Sequence, residues 1–356
     1  MSSDAPLDHE ASSARHGSSA RYAKQVRFTP IGEAGQQRLR DSRVLLVGAG
    51  ALGSVLAETL VRAGVGGLRL VDRDVVELSN LQRQTLYTEQ DAADGEPKAI
   101  AAAARLRAIN SAVEIEPHVA DVTHRNVASL AAGADLLLDG TDNFATRFLL
   151  NDQSVASGTP WVYAGVVGAE GRVMPIVPGQ TACLACLLPE PPSLGETETC
   201  DSAGVIGPAV NVVASLAATE ALKLLVGDAE SLATGLTVID LWANRHRRIA
   251  VPRTPGCRAC GERRFDWLEG RRAADATHLC GQNAVQISPP DGTPPVDLTA
   301  LRAKLARVGE VSGNAFLLRT TFEDHPLTLF ADGRVVVGGV DDPADARSVL
   351  ARCLGA

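Results

Sequence analysis

One short apolar run that meets a glycine-rich turn constrains this chain more than anything else in it. Arg43-Val44-Leu45-Leu46-Val47 has the unbroken apolar form of a strand buried on both faces of a parallel sheet. It enters Gly48-Ala49-Gly50-Ala51-Leu52-Gly53, and a helical stretch follows to about Gly64. A second strand, Leu68-Arg69-Leu70-Val71-Asp72, comes next. Gly-x-Gly-x-x-Gly between a strand and a helix lets the backbone turn tightly and admits a phosphate to the helix N-terminus. Asp72 closes the next strand, where a carboxylate can hold a ribose hydroxyl. This order opens a doubly wound α/β fold, Rossmann-like with a mostly parallel sheet. Which nucleotide it binds stays open on these residues, because NAD-dependent oxidoreductases carry the same set.

Further strands are expected at 113–117, 135–139 and 160–166, with an alanine-rich helix from Lys98 to Ile109. A longer helix is expected from about Pro208 to Val226. Its Val210, Val213, Ala214, Ala217, Ala221, Leu224 and Leu225 recur at three and four, which makes a core stripe or a subunit interface. Residues 1–20, rich in Ser and Ala, read as a flexible tail, and Pro189–Thr199 as a mobile crossover segment. At 356 residues the chain exceeds one ordinary domain. A boundary near 270 leaves a nucleotide-binding domain over 21–269 and a small α+β unit over 270–356. That unit is expected to hold a strand at Ala284–Ile287, a helix at 297–307, strands near 315–322, 327–330 and 334–338, and a helix at 343–353.

Lys plus Arg is 34 against 42 Asp plus Glu, a net charge of −8, which argues against nucleic acid held by overall charge. No apolar run approaches the roughly 18 residues of a membrane span, and no signal-peptide core opens the chain. The expectation is a soluble, cytoplasmic protein.

Beyond the ribose position, Asp72-Arg73-Asp74 and Ser79-Asn80-Leu81-Gln82-Arg83-Gln84 bring a cation and amides. Lys98 stands near a helix start, and Asp142 just past a strand end, where open parallel sheets place ligands. Two cations and a carboxylate suit a triphosphate with Mg²⁺ better than a nicotinamide. The plain alternatives are that Arg83 and Lys98 are solvated charges and that Asp142 caps a helix. Cys183-Leu184-Ala185-Cys186 and Cys257-Arg258-Ala259-Cys260 are matched pairs able to complete a tetrahedral Zn²⁺ site. They are separated by 71 positions (186 to 257), so only the fold can bring them together; free thiols or a redox dithiol are the other readings.

Taken with Arg21-Tyr22-Ala23-Lys24-Gln25, Pro97-Lys98 and Thr141-Asp142-Asn143, these motifs resemble the ThiF/MoeB/HesA family of ubiquitin-activating-like adenylyltransferases over residues 20–262. Within the family, the likeness is to molybdopterin-synthase sulfur-carrier adenylyltransferases. The resemblance implies that ATP adenylates the C-terminal Gly-Gly carboxylate of a small ubiquitin-like sulfur carrier and releases pyrophosphate. The sulfur would serve molybdopterin, thiamine or related biosynthesis. Nucleotide-binding positions fall on Gly48, Gly50, Gly53, Asp72, Asp74, Asn80, Arg83, Gln84, Lys98 and Asp142, with Asp142 on Mg²⁺.

The resemblance also implies a homodimer, a structural zinc at the four cysteines, and a sulfur donor such as a cysteine desulfurase or rhodanese. The family's Arg-Tyr-x-Arg-Gln motif sends its second arginine to the neighbouring subunit's triphosphate; Lys24 stands there and lacks the bidentate fork. Cys200 matches a cysteine that takes the carrier covalently in some relatives, although Asp201 beside it would raise its pKa. Cys280 and Cys353 have no motif around them. The C-terminal unit lacks a cysteine-centred rhodanese loop and resembles a small extra domain of some bacterial members. A family member acting on a small molecule or tRNA, such as a threonylcarbamoyl-adenosine dehydratase, and a non-catalytic scaffold are the competing readings.

Overall fold

In the computed structural model, which describes residues 20–192, 203–272, 276–279, 283–289 and 293–355, strand β1 (Arg43–Val47) lies between two parallel neighbours. Val44 to Val47 are all buried, as a run without a polar face requires. On one side are β2 (Gly67–Asp72) and then β3 (Glu114–Val119); on the other are β4 (Leu136–Asp139) and β5 (Trp161–Val167). Antiparallel β6 (Glu170–Ile176), β7 (Leu236–Asp240) and β8 (Arg245–Ile249) complete an eight-stranded sheet in the order β3-β2-β1-β4-β5-β6-β7-β8. The order reverses between β1 and β4, which opens a crevice at the strands' carboxyl ends.

Helices α1 (Gly32–Asp41), α2 (Ala51–Ala63), α3 (Lys98–Ile109), α4 (Phe144–Ser157) and α5 (Gly207–Val226) accompany this sheet. Strand periodicity divides β1 between two cores. Val44 and Leu46 join Leu56, Leu60 and Val213 under α2 and α5, while Leu45 and Val47 join Phe148 and Trp161 under α4. By length and composition α5 alone among the described residues is apolar enough to cross a bilayer, which corrects the expectation that no run is. Here it packs against α2, β5 and β6 through Val210, Val213, Ala214 and Ala217, and its remaining face carries Asn211, Ser215 and Lys223.

A second, fully antiparallel sheet follows: β9 (Ala276–Leu279), β10 (Ala284–Ile287), β11 (Ser312–Gly313), β12 (Leu317–Phe322), β13 (His325–Phe330) and β14 (Val335–Gly338). Its order is β11-β12-β13-β14-β10-β9, and α6 (Leu298–Leu305) and α7 (Pro343–Leu354) share its core. Of the segments named from sequence, the tail up to residue 19, the crossover stretch from 193, and Cys200 and Cys280 lie outside the described residues. Cys353 is buried in the core of the second sheet.

Three glycines interlock where the crevice begins. Gly48 has φ +90°, and a Cβ on it would sit 2.6 Å from the Gly140 carbonyl group. A Cβ on Gly53 would come within 1.9 Å of the Gly48 oxygen, and one on Gly140 within 2.5 Å of the same atom. Helix α2 can therefore approach the ends of β1 and β4 only while these positions lack side chains. Gly53→Ala is expected to lower the unfolding free energy by at least about 2 kcal/mol in chemical denaturation; an unchanged midpoint contradicts the packing described.

Candidate active site

The glycine turn is held from the next strand. Asp72 accepts the Ala49 N–H at 2.6 Å on one carboxylate oxygen and the Asp74 N–H at 2.7 Å on the other. It is buried at the end of β2; desolvation raises its pKa, with Lys98 pulling the other way. Among the described residues no side chain caps α2, whose N-cap is Gly50, so its first-turn amides can face an anion.

Two short extended segments deliver the charges. Val75 bridges Pro97 antiparallel, Val76 donates to the Glu96 carbonyl at 2.9 Å, and Lys98 N–H donates to the Asp74 carbonyl at 2.9 Å. Across this ribbon the nearly buried Lys98 ammonium lies 3.0 Å from Asp74. Burial works against the lysine's charge, but Asp74, Asp72 and Asp142 outweigh it and hold its pKa above the ordinary value. Burial likewise opposes the Asp74 charge; Lys98 and Arg73 overcome it and bring that carboxylate down to about 2. Tyr87, on which the sequence reading placed no role, donates its buried hydroxyl to the Ala49 carbonyl at 2.6 Å, with the Lys98 carbonyl 3.3 Å away. It thereby ties the glycine turn to the start of α3.

Asp142 is exposed on the turn after β4, and that turn is locked from below. Asp139 accepts both the amide and the hydroxyl of Thr141, at 2.8 and 2.7 Å. Buried Arg147 donates to Asp139 at 3.1 Å and to the Thr141 carbonyl at 2.6 Å, beneath the Phe144 and Tyr163 rings. Gly140 N–H donates to Val47 at 2.7 Å, which registers the turn against β1. The reading of Asp142 as a helix cap is corrected: Asn143 caps α4, accepting the Thr146 N–H at 2.8 Å. Asp139 and Arg147 escaped the sequence reading; the one available signal was a carboxylate closing an otherwise apolar strand.

The segment 78–84 forms the neighbouring wall. Asn80 lies in a one-turn helix and its carbonyl accepts the Arg83 and Gln84 amides; Arg83 donates its guanidinium to the Ser79 carbonyl at 3.0 Å. Gln84 is buried, its amide oxygen has no partner among the described residues, and its amide nitrogen lies 3.8 Å from where a Gly50 Cβ would be. The structure thus groups Gly48, Gly50, Gly53, Asp72, Asp74, Lys98 and Asp142, with Gln84 beside Gly50, while the Asn80 amide and the Arg83 guanidinium both turn onto Ser79.

Lys24 is exposed on helix 20–26, which is anchored at the opposite end of α2: Gln25 donates to the Ala63 carbonyl at 2.8 Å, and Tyr22 accepts from Asn110 at 2.8 Å. The 13 residues of α2 put roughly 20 Å between that anchor and the glycine turn.

The two cysteine pairs meet. Cys183 and Cys186 sulfurs are 3.9 Å apart, Cys183 and Cys257 3.6 Å, Cys186 and Cys260 3.4 Å, and all four lie within 4.8 Å of one another. Four thiolates around a tetrahedral Zn²⁺ stand about 3.8 Å apart, so the donor set fits that ion. Burial, then the neighbouring sulfurs, push the Cys183 thiol up, the strain a cation would relieve. The fold thus brings the two pairs together, as the zinc reading requires.

Residues 22–259 match the ThiF family. A sulfur carrier protein ThiS adenylyltransferase of Bacillus subtilis is 44% identical over 338 residues, 94% of this chain and 99% of that one, so its likeness runs through the second sheet. A sulfur carrier protein adenylyltransferase of Thermus thermophilus is 40% identical over 266 residues, 73% of this chain and 96% of that one, which leaves that relative no room for such a unit. In fold, the chain is similar to the crystal structure of E. coli MccB with ATP, with a TM-score of 0.55 over 64% of this chain and 69% of that one at 23% identity. Matched from helix 20–26 through the glycine turn, the Asp142 turn and the eight-stranded sheet, the chain belongs to the ThiF family.

Proposed function

We propose that this protein uses ATP to adenylate the C-terminal Gly-Gly carboxylate of a ubiquitin-like sulfur carrier, releasing pyrophosphate. The observation that carries the reading is the assembly, around one uncapped helix N-terminus, of a buried protonated Lys98 and the rigid Asp142 turn. A carboxylate is already a nucleophile at neutral pH, so its oxygen attacks the α-phosphorus without a general base, and the bond to the β-phosphate oxygen breaks. The difficulty is electrostatic: an anionic tail must approach a polyanionic nucleotide, and the departing pyrophosphate must be stabilised.

The chain's residues answer that difficulty in place. Asp72 holds the ribose; the turn Gly48–Gly53 offers its amides to phosphate; Asn80, Arg83 and Gln84 line the far side; Lys98 leaves Asp74 for the phosphates. Asp142 is the carboxylate placed to hold Mg²⁺, which neutralises phosphate charge when bound. Lys24 serves the site of a second subunit in a homodimer, since its own turn lies a helix length away. Cys183, Cys186, Cys257 and Cys260 hold a structural Zn²⁺. The relative alignable along both units supports a ThiS-like carrier as the first to test, with a cysteine desulfurase or rhodanese as the sulfur source.

Carrier-dependent exchange of labelled pyrophosphate into ATP is expected, and Asp142→Ala should lower it at least about 100-fold. Exchange that persists with no carrier, or with a carrier lacking its terminal Gly-Gly, contradicts the reading. Among the described residues a Cβ on Gly50 meets only an ordinary contact, the Gln84 amide nitrogen at 3.8 Å, so the unfolding free energy of Gly50→Ala should change by about 1 kcal/mol or less. Its ATP affinity should nevertheless fall about tenfold or more by titration, because the methyl group stands where phosphate must come. Metal analysis should return one zinc per chain, lost in Cys183→Ser together with a lowered melting temperature; a metal-free protein of full stability would refute the zinc assignment.

A further inference from the structure

The second sheet has two apolar faces, and only one of them is its own core. Leu318, Leu327, Leu329, Val335 and Val337 point into the core shared with α6 and α7. The alternate residues Leu317, Phe330 and Val336 pack instead around Val75, in the ribbon that carries Asp74 and Lys98.

Polar contacts on that face reach both strands of the ribbon. Gln286 donates to Asp121 at 2.9 Å, and Asp121 in turn pairs with Arg73 at 3.2 Å. Asn314 donates to the Gly95 carbonyl at 3.3 Å; a Cβ on Gly95 would lie 3.1 Å from the Arg319 guanidinium. Arg334 is 3% exposed, lies 4.4 Å over the Phe330 ring and pairs with Asp332 at 2.6 Å. Its Nη2 donates to the Arg73 carbonyl at 3.4 Å. Residues 73, 75 and 95 are thus gripped from outside, and between and beside them project Asp74 and Lys98.

We propose that this face of the C-terminal unit positions the nucleotide site, with Arg334 as the positioning residue that acts through the Arg73 carbonyl on Asp74 and Lys98. The inference rests on the adenylyltransferase reading for the identity of the ligand. Arg334 also adds its charge to those that keep Asp74 ionised, and so bears on how firmly Lys98 is held before nucleotide arrives. The Thermus relative without room for the unit carries an adenylyltransferase name, so the unit tunes the site and the expected effect is graded.

The test is calorimetric titration of Mg-ATP, and separately of the carrier, into full-length wild type, Arg334→Met and Arg334→Lys. Arg334→Met should weaken ATP binding about three- to tenfold, leave carrier affinity within about twofold, and keep the wild-type circular dichroism spectrum; Arg334→Lys, which still donates to the carbonyl, should restore ATP affinity. A folded Arg334→Met with wild-type ATP affinity overturns the inference, and so does parallel loss of both affinities. Should Arg334→Met fail to fold, Gln286→Met, which keeps the length of this buried side chain and removes its hydrogen bond to Asp121 on the same face, carries the same expectations. Wild type that binds no ATP overturns the adenylyltransferase reading and this inference with it.

Discussion

Everything at the mouth of the crevice depends on backbone meeting backbone at Gly48, Gly53 and Gly140. Because none of the three has a side chain, helix α2 seats directly on the ends of β1 and β4. That contact does two things at once. It points the uncapped N-terminus of α2 into the crevice, and it fixes the Asp142 turn against the glycine turn. A fold with the same strand order but a methyl group at any of these positions would hold the two turns apart.

Charge is the second constraint, and the chain balances it locally. Asp72, Asp74, Asp121 and Asp142 face Arg73 and Lys98 within one corner, and there the carboxylates outweigh the burial that opposes the lysine's charge. Asp72 is committed to two backbone amides, so it is an anchor as much as a ligand. Asp74 is half-exposed, paired with Lys98, and sited on a ribbon gripped by the second sheet. The C-terminal unit therefore adjoins the ribbon that carries Asp74 and Lys98.

Much of this was legible in the sequence, and for local reasons. The apolar run at 43–47, the glycine spacing and Asp72 form one contiguous signal, and Lys98 and Asp142 stand at the helix start and strand end where a parallel sheet gathers its loops. The elements that escaped are those whose sequences show no clean local apolar pattern. Strand β8 is exposed along its whole length and reads Arg-His-Arg-Arg-Ile, while β6 carries Gly171 and Pro175. Helix α1 buries only Gly35, Gln36 and Leu39, and α4 buries Asn151, Asp152, Gln153 and Ser154, so neither shows a clean apolar stripe. The cysteine pairs were visible as motifs, but their meeting across 71 positions is a property of the sheet. Tyr87 and Arg147 gave no signal, because each acts on backbone carbonyls brought near by the fold.

The central claim is that the crevice joins an AMP group to a protein tail. Intact-mass spectrometry of a ThiS-like carrier, incubated with this protein and Mg-ATP under acid quench, tests it most directly. The account predicts a carrier species heavier by one adenylate, lost when the terminal glycines are removed. An unmodified carrier alongside consumed ATP, or a carrier bearing phosphate alone, would contradict it.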